Sequence, residues 1–317
     1  MSKHALIFNT HRMSTDDGPG MRTTLFFKGC PLSCFWCHNP ESISNKPQVW
    51  AENKKCIGCG QCRDACSQQG INSEDGQIVI DQQLCVGCGS CVEICPAKSL
   101  ELLGKEYSVD DAFKLVMKDR LFYERSGGGV TVSGGEPTMH ADFVQELFMR
   151  LKEVGIHTAL DTCGLAKQTA FEQLLPLTDL VLWDIKTLDE SDHIKFTGVS
   201  NKQILKNLRY VAEYIRINPN TQLWIRTPLI PGATGTEENI NEIASFIELN
   251  LLEVVSRWDI CAYNNTCETK YNRLDMNWGL KDQPVLVERE INDYKKLVSK
   301  FTLLAPKVFF SGLIAKE

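Results

Sequence analysis

The chain has 317 residues, 34 of them Lys or Arg and 40 Asp or Glu, so its formal charge is −6. That length allows one large domain, or one domain with a smaller attachment; hydrophobic content of 43% and charged content of 23% exclude wholesale disorder. The acidic balance argues against a surface built for nucleic acid.

Fourteen residues are cysteine, and eleven of them lie between Cys30 and Cys95. The first eight residues, MSKHALIF, offer only the apolar run Ala5–Phe8, whereas a secretory core needs roughly 7–15 such residues. No run approaches the roughly 18 uninterrupted apolar residues of a membrane span. A cytoplasmic protein with no membrane partner is therefore expected, and clustered thiols there bind metal more often than they form disulfides.

Taken in chain order, Thr23–Lys28 reads as a strand. Residues 47–104 then break the pattern, with many glycines and an internal repeat, CIGCGQCRDAC at 56–66 and CVGCGSCVEICP at 85–96. Neither copy is large enough to bury a core of its own. From Tyr107 onward strands alternate with helices: strands at Val130–Ser133, His157–Asp161, Leu180–Lys186, Gln222–Thr227 (ended by Pro228) and Val254–Ala262, helices at Ala141–Val154, Glu237–Leu249 and Ile291–Phe301. Alternating βα units predict a parallel sheet. Periodicity does not separate a partial (β/α) barrel from a doubly wound sheet, but either places Ser133, Asp161, Asp184 and Lys186 at strand ends on the ligand side.

Each repeat copy is C-x2-C-x2-C-x3-C, and Pro96 follows the second. In that spacing three thiolates cap one iron–sulfur cluster and the fourth crosses to the other. Cys56, Cys59, Cys62 and Cys95 are thus expected on one [4Fe–4S] cluster, and Cys85, Cys88, Cys91 and Cys66 on the second. Paired structural zinc sites are the alternative for such thiolates. Cys30, Cys34 and Cys37 form a distinct C-x3-C-x2-C set, which leaves one iron of a third cluster open to a substrate's amine and carboxylate; a zinc knuckle completed by His38 is the other reading.

This spacing resembles that of radical S-adenosylmethionine enzymes. Asp17-Gly18-Pro19-Gly20-Met21-Arg22, Phe26, Gly29-Cys30 and Trp36-Cys37-His38-Asn39-Pro40-Glu41 are similar to the signature of glycyl-radical-enzyme activating enzymes. The resemblance runs through nearly the whole chain. It implies a partial (β/α)6 barrel, residues 1–46 and 105–317, carrying a ferredoxin-like insert of two [4Fe–4S] clusters at 47–104. It implies cleavage of S-adenosylmethionine to methionine and a 5′-deoxyadenosyl radical, which takes hydrogen from a glycine of a partner glycyl radical enzyme.

The resemblance also implies roles residue by residue. Ser133-Gly134-Gly135-Glu136-Pro137 matches the segment that binds the methionine amine; glycines permit close backbone approach and Glu136 can accept from an ammonium. Trp36 matches the aromatic residue by the adenine, and His38 a position beside the cluster. Asp161-Thr162 and Asp184-Ile185-Lys186 match residues that hold the cofactor and a monovalent cation. Arg226 matches an arginine near the cofactor carboxylate. In Tyr263-Asn264-Asn265-Thr266-Cys267-Glu268-Thr269-Lys270-Tyr271, Asn264 stands where the family carries a histidine, so its contact with ribose or adenine is limited to hydrogen bonding. Asp17 and Gly18 fall where the family meets its partner's glycine loop.

Flavodoxin or ferredoxin is the expected reductant, with the insert clusters as relay, a structural role or a role in docking being the alternatives, and the chain is expected to act as a monomer in an anaerobic setting. Two rivals stand: another radical S-adenosylmethionine enzyme, which the DGPG-x-R motif opposes, and an electron-transfer protein, which would cleave no S-adenosylmethionine. Cys163, Cys261 and Cys267 receive no role.

Overall fold

The computed structural model describes residues 3–316; Met1 and Ser2, at the head of the N-terminal stretch read above, and Glu317 lie outside the described residues. Thirteen strands are formed among them: β1 (His4–Ser14), β2 (Arg22–Phe27), β3 (Gln48–Ala51), β4 (Ile71–Glu74), β5 (Gln77–Ile80), β6 (Leu100–Leu103), β7 (Lys105–Ser108), β8 (Gly129–Gly134), β9 (His157–Thr162), β10 (Leu180–Asp184), β11 (Gln222–Leu229), β12 (Val255–Ala262) and β13 (Val308–Ser311). Nine join one sheet in the order β13-β12-β11-β10-β9-β8-β2-β1-β7.

From β13 to β2 every pairing is parallel. Helices provide the crossovers such a sheet requires. Ala141–Glu153 buries Phe143, Val144, Leu147, Phe148 and Leu151, one stripe at helical spacing. Lys202–Ile217 does the same with Ile204, Leu208, Val211, Ala212 and Ile215. The helix Glu237–Asn250 starts where the Thr236 side chain accepts from the Asn239 amide, and it buries Ile240, Ile243, Ala244 and Ile247. Each fully buried side chain of this kind contributes roughly 1.5–3 kcal/mol.

The strand period of two divides the sheet by chemistry. Val130, Val132, Leu160, Val181, Trp183, Leu223, Ile225, Trp258 and Ile260 turn outward into the main core with the helices. Their neighbours Ser133, Asp161, Asp184, Trp224, Arg226, Arg257 and Asp259 turn inward and line a cavity.

Two features depart from the purely parallel alternation. β1 runs antiparallel to β2, and β7 antiparallel to β1. β1 has no apolar alternation beyond Ala5 and Ile7, the only two of its residues in the core, and the short connection to β2 forces a hairpin-like return. Pro228 lies inside β11 rather than ending it. The β10 side of β11 is paired only as far as Arg226, while the β12 side continues to Leu229, so the missing proline N–H falls on an unpaired edge.

Residues 47–104 stand apart from the sheet. β3 pairs with β6 and β4 with β5, both antiparallel, and the short helices Gln61–Asp64 and Ser90–Ile94 follow the two cysteine loops. Both helices begin at a left-handed glycine, Gly60 (φ 76°) and Gly89 (φ 81°), at equivalent places in the repeat. The segment's apolar cluster is only Val49, Ala51, Ile71, Ile78, Ile80, Cys91 and Leu100, with five more cysteines packed on it. Thiols thus form much of what would be its core. Buried Lys28 fastens the segment to the sheet, donating to the Glu41 carbonyl (2.6 Å) and to Gln48 (2.9 Å), and burial pushes its ammonium down to about 8. Arg273 adds a second link, lying over the Trp50 ring at 4.8 Å and pairing with Glu52. Among the described residues no helix is long and apolar enough to cross a membrane.

Candidate active site

The loop carrying Cys30, Cys34 and Cys37 follows β2 and is held by backbone hydrogen bonds on one side and by side chains on the other. Gly29 N donates to Ser42 O (2.7 Å), Ser33 N to Thr197 O (2.8 Å) and Phe35 N to Phe196 O (3.2 Å). From the far side Lys270 donates to the carbonyl of His38 (3.0 Å) and to Asn39 (2.8 Å), and pairs with buried Glu41 (2.7 Å). Trp36 packs into an apolar cluster with Phe196, Ile230, Tyr263, Tyr271 and Trp278 beneath the loop.

Below the loop lies a cavity of about 730 Å³, within the range of small-molecule sites. Its wall includes Cys30, Cys34, Trp36, Cys37, His38, Gly134, Gly135, Asp161, Asp184, Lys186, Arg226 and Asn264, which the sequence singles out, and Gly18 from the N-terminal turn. Three candidates are not on the wall. Ile185 is 2% exposed and packs in the outer core. The Asp17 carboxylate accepts from Ser14 (2.6 Å) and Thr24 (2.7 Å), leaving Asp16 and Gly18 on the cavity.

Glu136 is the third, with 0% exposure. Its Oε1 accepts from the amide and hydroxyl of Thr138 (3.0 and 2.6 Å) and from the Thr162 hydroxyl (2.8 Å), while Oε2 accepts from the Cys163 amide (2.8 Å). It ties the Gly-Gly turn to the end of β9 instead of presenting a carboxylate to a ligand.

The two glycines are required by space. A Cβ on Gly135 would stand 2.1 Å from the Gly29 carbonyl oxygen, and one on Gly134 (φ 108°) 2.4 Å from the Phe27 nitrogen. Gly135 N and Glu136 N donate to Phe27 O (2.8 Å) and Gly29 O (2.7 Å). The turn therefore lies directly against the start of the cysteine loop.

Charges alternate along the strand ends. Ser133 donates to Asp161 Oδ2 (2.6 Å), which faces Arg226 at 3.4 Å; Lys186 pairs with Asp184 at 2.6 Å. Burial pushes the Asp161 carboxyl up to about 6 against the opposing pull of Arg226. Burial works against the Lys186 and Arg226 cations, but their carboxylate neighbours outweigh it and both are raised. Arg22, fully buried, holds the DGPG turn from beneath through Pro19 O (3.2 Å), Val130 O (2.9 Å) and Thr131 (2.7 Å).

Among the described residues no three Cys, His, Asp or Glu side chains converge tightly enough to hold a single metal ion. The three thiols border a space, next to a backbone cradle that a single Cβ would fill. Those features fit a cluster with an organic ligand beside it. Burial pushes the Cys34 thiol up to about 11, so deprotonation would accompany metal binding.

Among the wall residues to which the sequence assigns no role are Cys163, Arg257, Asp259 and Cys261. The neighbouring Cys163 side chain holds the Cys30 thiol below its usual range. The period-two alternation of Val254–Ala262 was the available signal for the other three.

In the segment 47–104 a cavity of about 260 Å³ is lined by Cys56, Cys59, Cys62 and Cys95. A smaller one of about 20 Å³ is lined by Cys66, Cys85, Cys88 and Cys91.

Residues 24–247 match the Radical SAM superfamily. The chain is 43% identical over 293 residues to the trans-4-hydroxy-L-proline dehydratase activating enzyme of Clostridioides difficile, covering 92% of this chain and 95% of that protein. It is 38% identical over 290 residues to the (2S)-3-sulfopropanediol dehydratase activating enzyme of Klebsiella oxytoca, covering 90% of each. With the choline trimethylamine-lyase activating enzyme of Oleidesulfovibrio alaskensis it shares 33% identity over 306 residues, 95% of this chain and 97% of that one. Among solved structures, a radical SAM methyltransferase from Sphaerobacter thermophilus superposes with a TM-score of 0.52 at 11% identity, covering 98% of this chain and 78% of that one.

Proposed function

The chain belongs to the radical S-adenosylmethionine superfamily and, within it, to the activating enzymes of glycyl radical enzymes, and from that premise we propose that the cavity beneath the cysteine loop is where the activating reaction takes place. Cys30, Cys34 and Cys37 would hold a [4Fe–4S] cluster there. When bound, the reduced cluster supplies the electron that splits S-adenosylmethionine into methionine and a 5′-deoxyadenosyl radical, which takes a hydrogen atom from a glycine of the partner.

The chain's own residues bind and orient. Gly134 and Gly135 offer backbone at close range to the methionine amine, and Glu136 positions that turn from behind. Asp161, Asp184, Lys186 and Arg226 set fixed charges for the amino-acid end of the ligand, with Ile185 acting through its backbone, which donates to Arg226 O at 2.9 Å. Trp36, His38 and Asn264 lie toward the adenosine end. Asp161 Oδ1 has no hydrogen bond among the described residues and is the oxygen we assign to a monovalent cation. Asp17 and Gly18 form the turn that meets the partner. The observation that carries the reading is the Gly134-Gly135 turn packed against Gly29, beside the three thiols.

We further assign residues 47–104 as a ferredoxin-like insert with two [4Fe–4S] clusters, on a partial barrel of residues 1–46 and 105–317. In support, each of the two small cavities gathers three cysteines of one repeat copy and the last of the other. Cys59 and Cys88 are exposed, as an electron entry from flavodoxin or ferredoxin requires. We assign the protein to the cytoplasm, as a monomer. The names of the relatives point to different partners, so the partner must be found by trial.

The test is anaerobic reconstitution, reduction and addition of S-adenosylmethionine, followed by the same mixture with each partner enzyme named for the relatives. The expected result is 5′-deoxyadenosine, and a glycyl radical EPR signal on one partner. Reduced, cluster-loaded protein that leaves S-adenosylmethionine intact would refute the reading. For the relay, Cys59→Ala and Cys88→Ala should lower turnover with flavodoxin; unchanged turnover in folded variants would contradict it.

A further inference from the structure

The wall residues with proposed cofactor roles lie on the cysteine loop, at the ends of β8 to β11 and in the loop after β12; the inner face of β12 itself has none. Arg257 there is in register with Trp224, two residues before Asp259, which is in register with Arg226. It therefore sits one layer deeper than Arg226, away from the cysteine loop. Its guanidinium lies between two rings, 4.5 Å from the Trp224 centroid and 4.2 Å from that of Phe309. Its Nε donates to Asp259 at 2.7 Å, and that is its only side-chain hydrogen bond among the described residues.

Two rings and a carboxylate fix the plane of this cation at little further entropic cost. Its Nη donors have no hydrogen-bond partner among the described residues, and the side chain, 31% exposed, lines the cavity. Phe309 is 44% exposed on β13, the last strand of the sheet on this side. Asp16 and Gly18 of the N-terminal turn line the same cavity.

Resting on the proposed reaction, we infer that Arg257 is a binding residue for the protein substrate: its Nη groups bind main-chain carbonyls of the partner's glycine-bearing loop as it passes between β12 and the turn at Asp16–Gly18. A glycine segment presents few side chains, so recognition falls to its backbone, and a fixed planar donor pair suits carbonyl oxygens. Asp259, 6% exposed, positions Arg257.

The test is calorimetric binding to the cluster-loaded protein of synthetic peptides spanning the glycine loops of the three partner enzymes named for the relatives. The Arg257→Met variant keeps the apolar contact with both rings but loses the donors; Arg257→Lys keeps the charge. The tightest wild-type peptide should bind about tenfold or more weakly to Arg257→Met, with Arg257→Lys intermediate and the S-adenosylmethionine Kd moving much less. Equal peptide affinity in wild type and Arg257→Met, or no peptide bound by the wild type, overturns the assignment. So does a larger loss for S-adenosylmethionine than for the peptide, which would make Arg257 a cofactor ligand. Binding is read without turnover, so these outcomes are independent of whether S-adenosylmethionine is cleaved.

Discussion

The Tyr271 hydroxyl donates to the main-chain carbonyl of Cys37 at 2.9 Å, and its ring stacks on Trp278 with centroids 5.6 Å apart. The helix Glu268–Arg273 thereby clamps the last cysteine of the loop from more than two hundred residues away in sequence. Tyr271→Phe keeps the stack and leaves the carbonyl without its donor. Stability should fall by about 1–3 kcal/mol, and iron should be lost to a chelator faster than from the wild type. An unchanged melting temperature and iron-loss rate would show that the clamp does not hold the loop.

Gly135→Ala should be far more damaging than its size suggests, because the new Cβ meets the Gly29 carbonyl at 2.1 Å. Backbone must move on both sides of the contact, and the turn then leaves the cysteine loop. S-adenosylmethionine affinity, followed by the change it induces in the cluster's EPR spectrum, should drop about tenfold or more.

Glu136→Gln tests whether Glu136 acts as a brace. An amide replaces one acceptor oxygen with a donor, facing groups that already donate from Thr138, Thr162 and Cys163. A loss of roughly 1.5–3 kcal/mol in stability is expected, measured by denaturant melts of the apoprotein. A residue acting only as a ligand would change cofactor affinity and leave the apoprotein's stability alone.

His157 gives the fold a pH dependence. Burial, and then the Arg22 guanidinium 3.3 Å from its Nδ1, push its imidazole down to about 4, against about 6.5 in the unfolded chain. Between those values the unfolded state binds the extra proton, so this contribution is complete above about pH 6.5 and is lost as pH falls toward 4. The gap between those values corresponds to about 3.4 kcal/mol, which the partial exposure of the ring lowers to on the order of 2 kcal/mol. Thermal melts at pH 5 and 7 should differ less in His157→Asn than in the wild type.

The cysteine spacing carried the most in the sequence, because the pattern that pointed to the family is local and survives without knowledge of the fold. Cys56 and Cys95 are far apart in the chain, the crossing rule expects them on one cluster, and both line one cavity. The motif at Gly134-Gly135-Glu136 was legible as a site, but the side-chain role was not: Glu136 turns away into donors that only the β9 end supplies. Arg257 and Asp259 were invisible for a related reason. Which face of β12 meets the cavity depends on its register with β11, and a one-residue shift would have put Trp258 there instead. β1 escaped notice because only Ala5 and Ile7 of its eleven residues enter the core.

The most direct test of the central claim is to supply the partner enzyme with deuterium on its glycine α-carbon and follow the label. Hydrogen abstraction by a radical formed in this cavity predicts one deuterium in 5′-deoxyadenosine, accompanied by a glycyl radical on the partner. Unlabelled 5′-deoxyadenosine, with no radical on the partner, would contradict it.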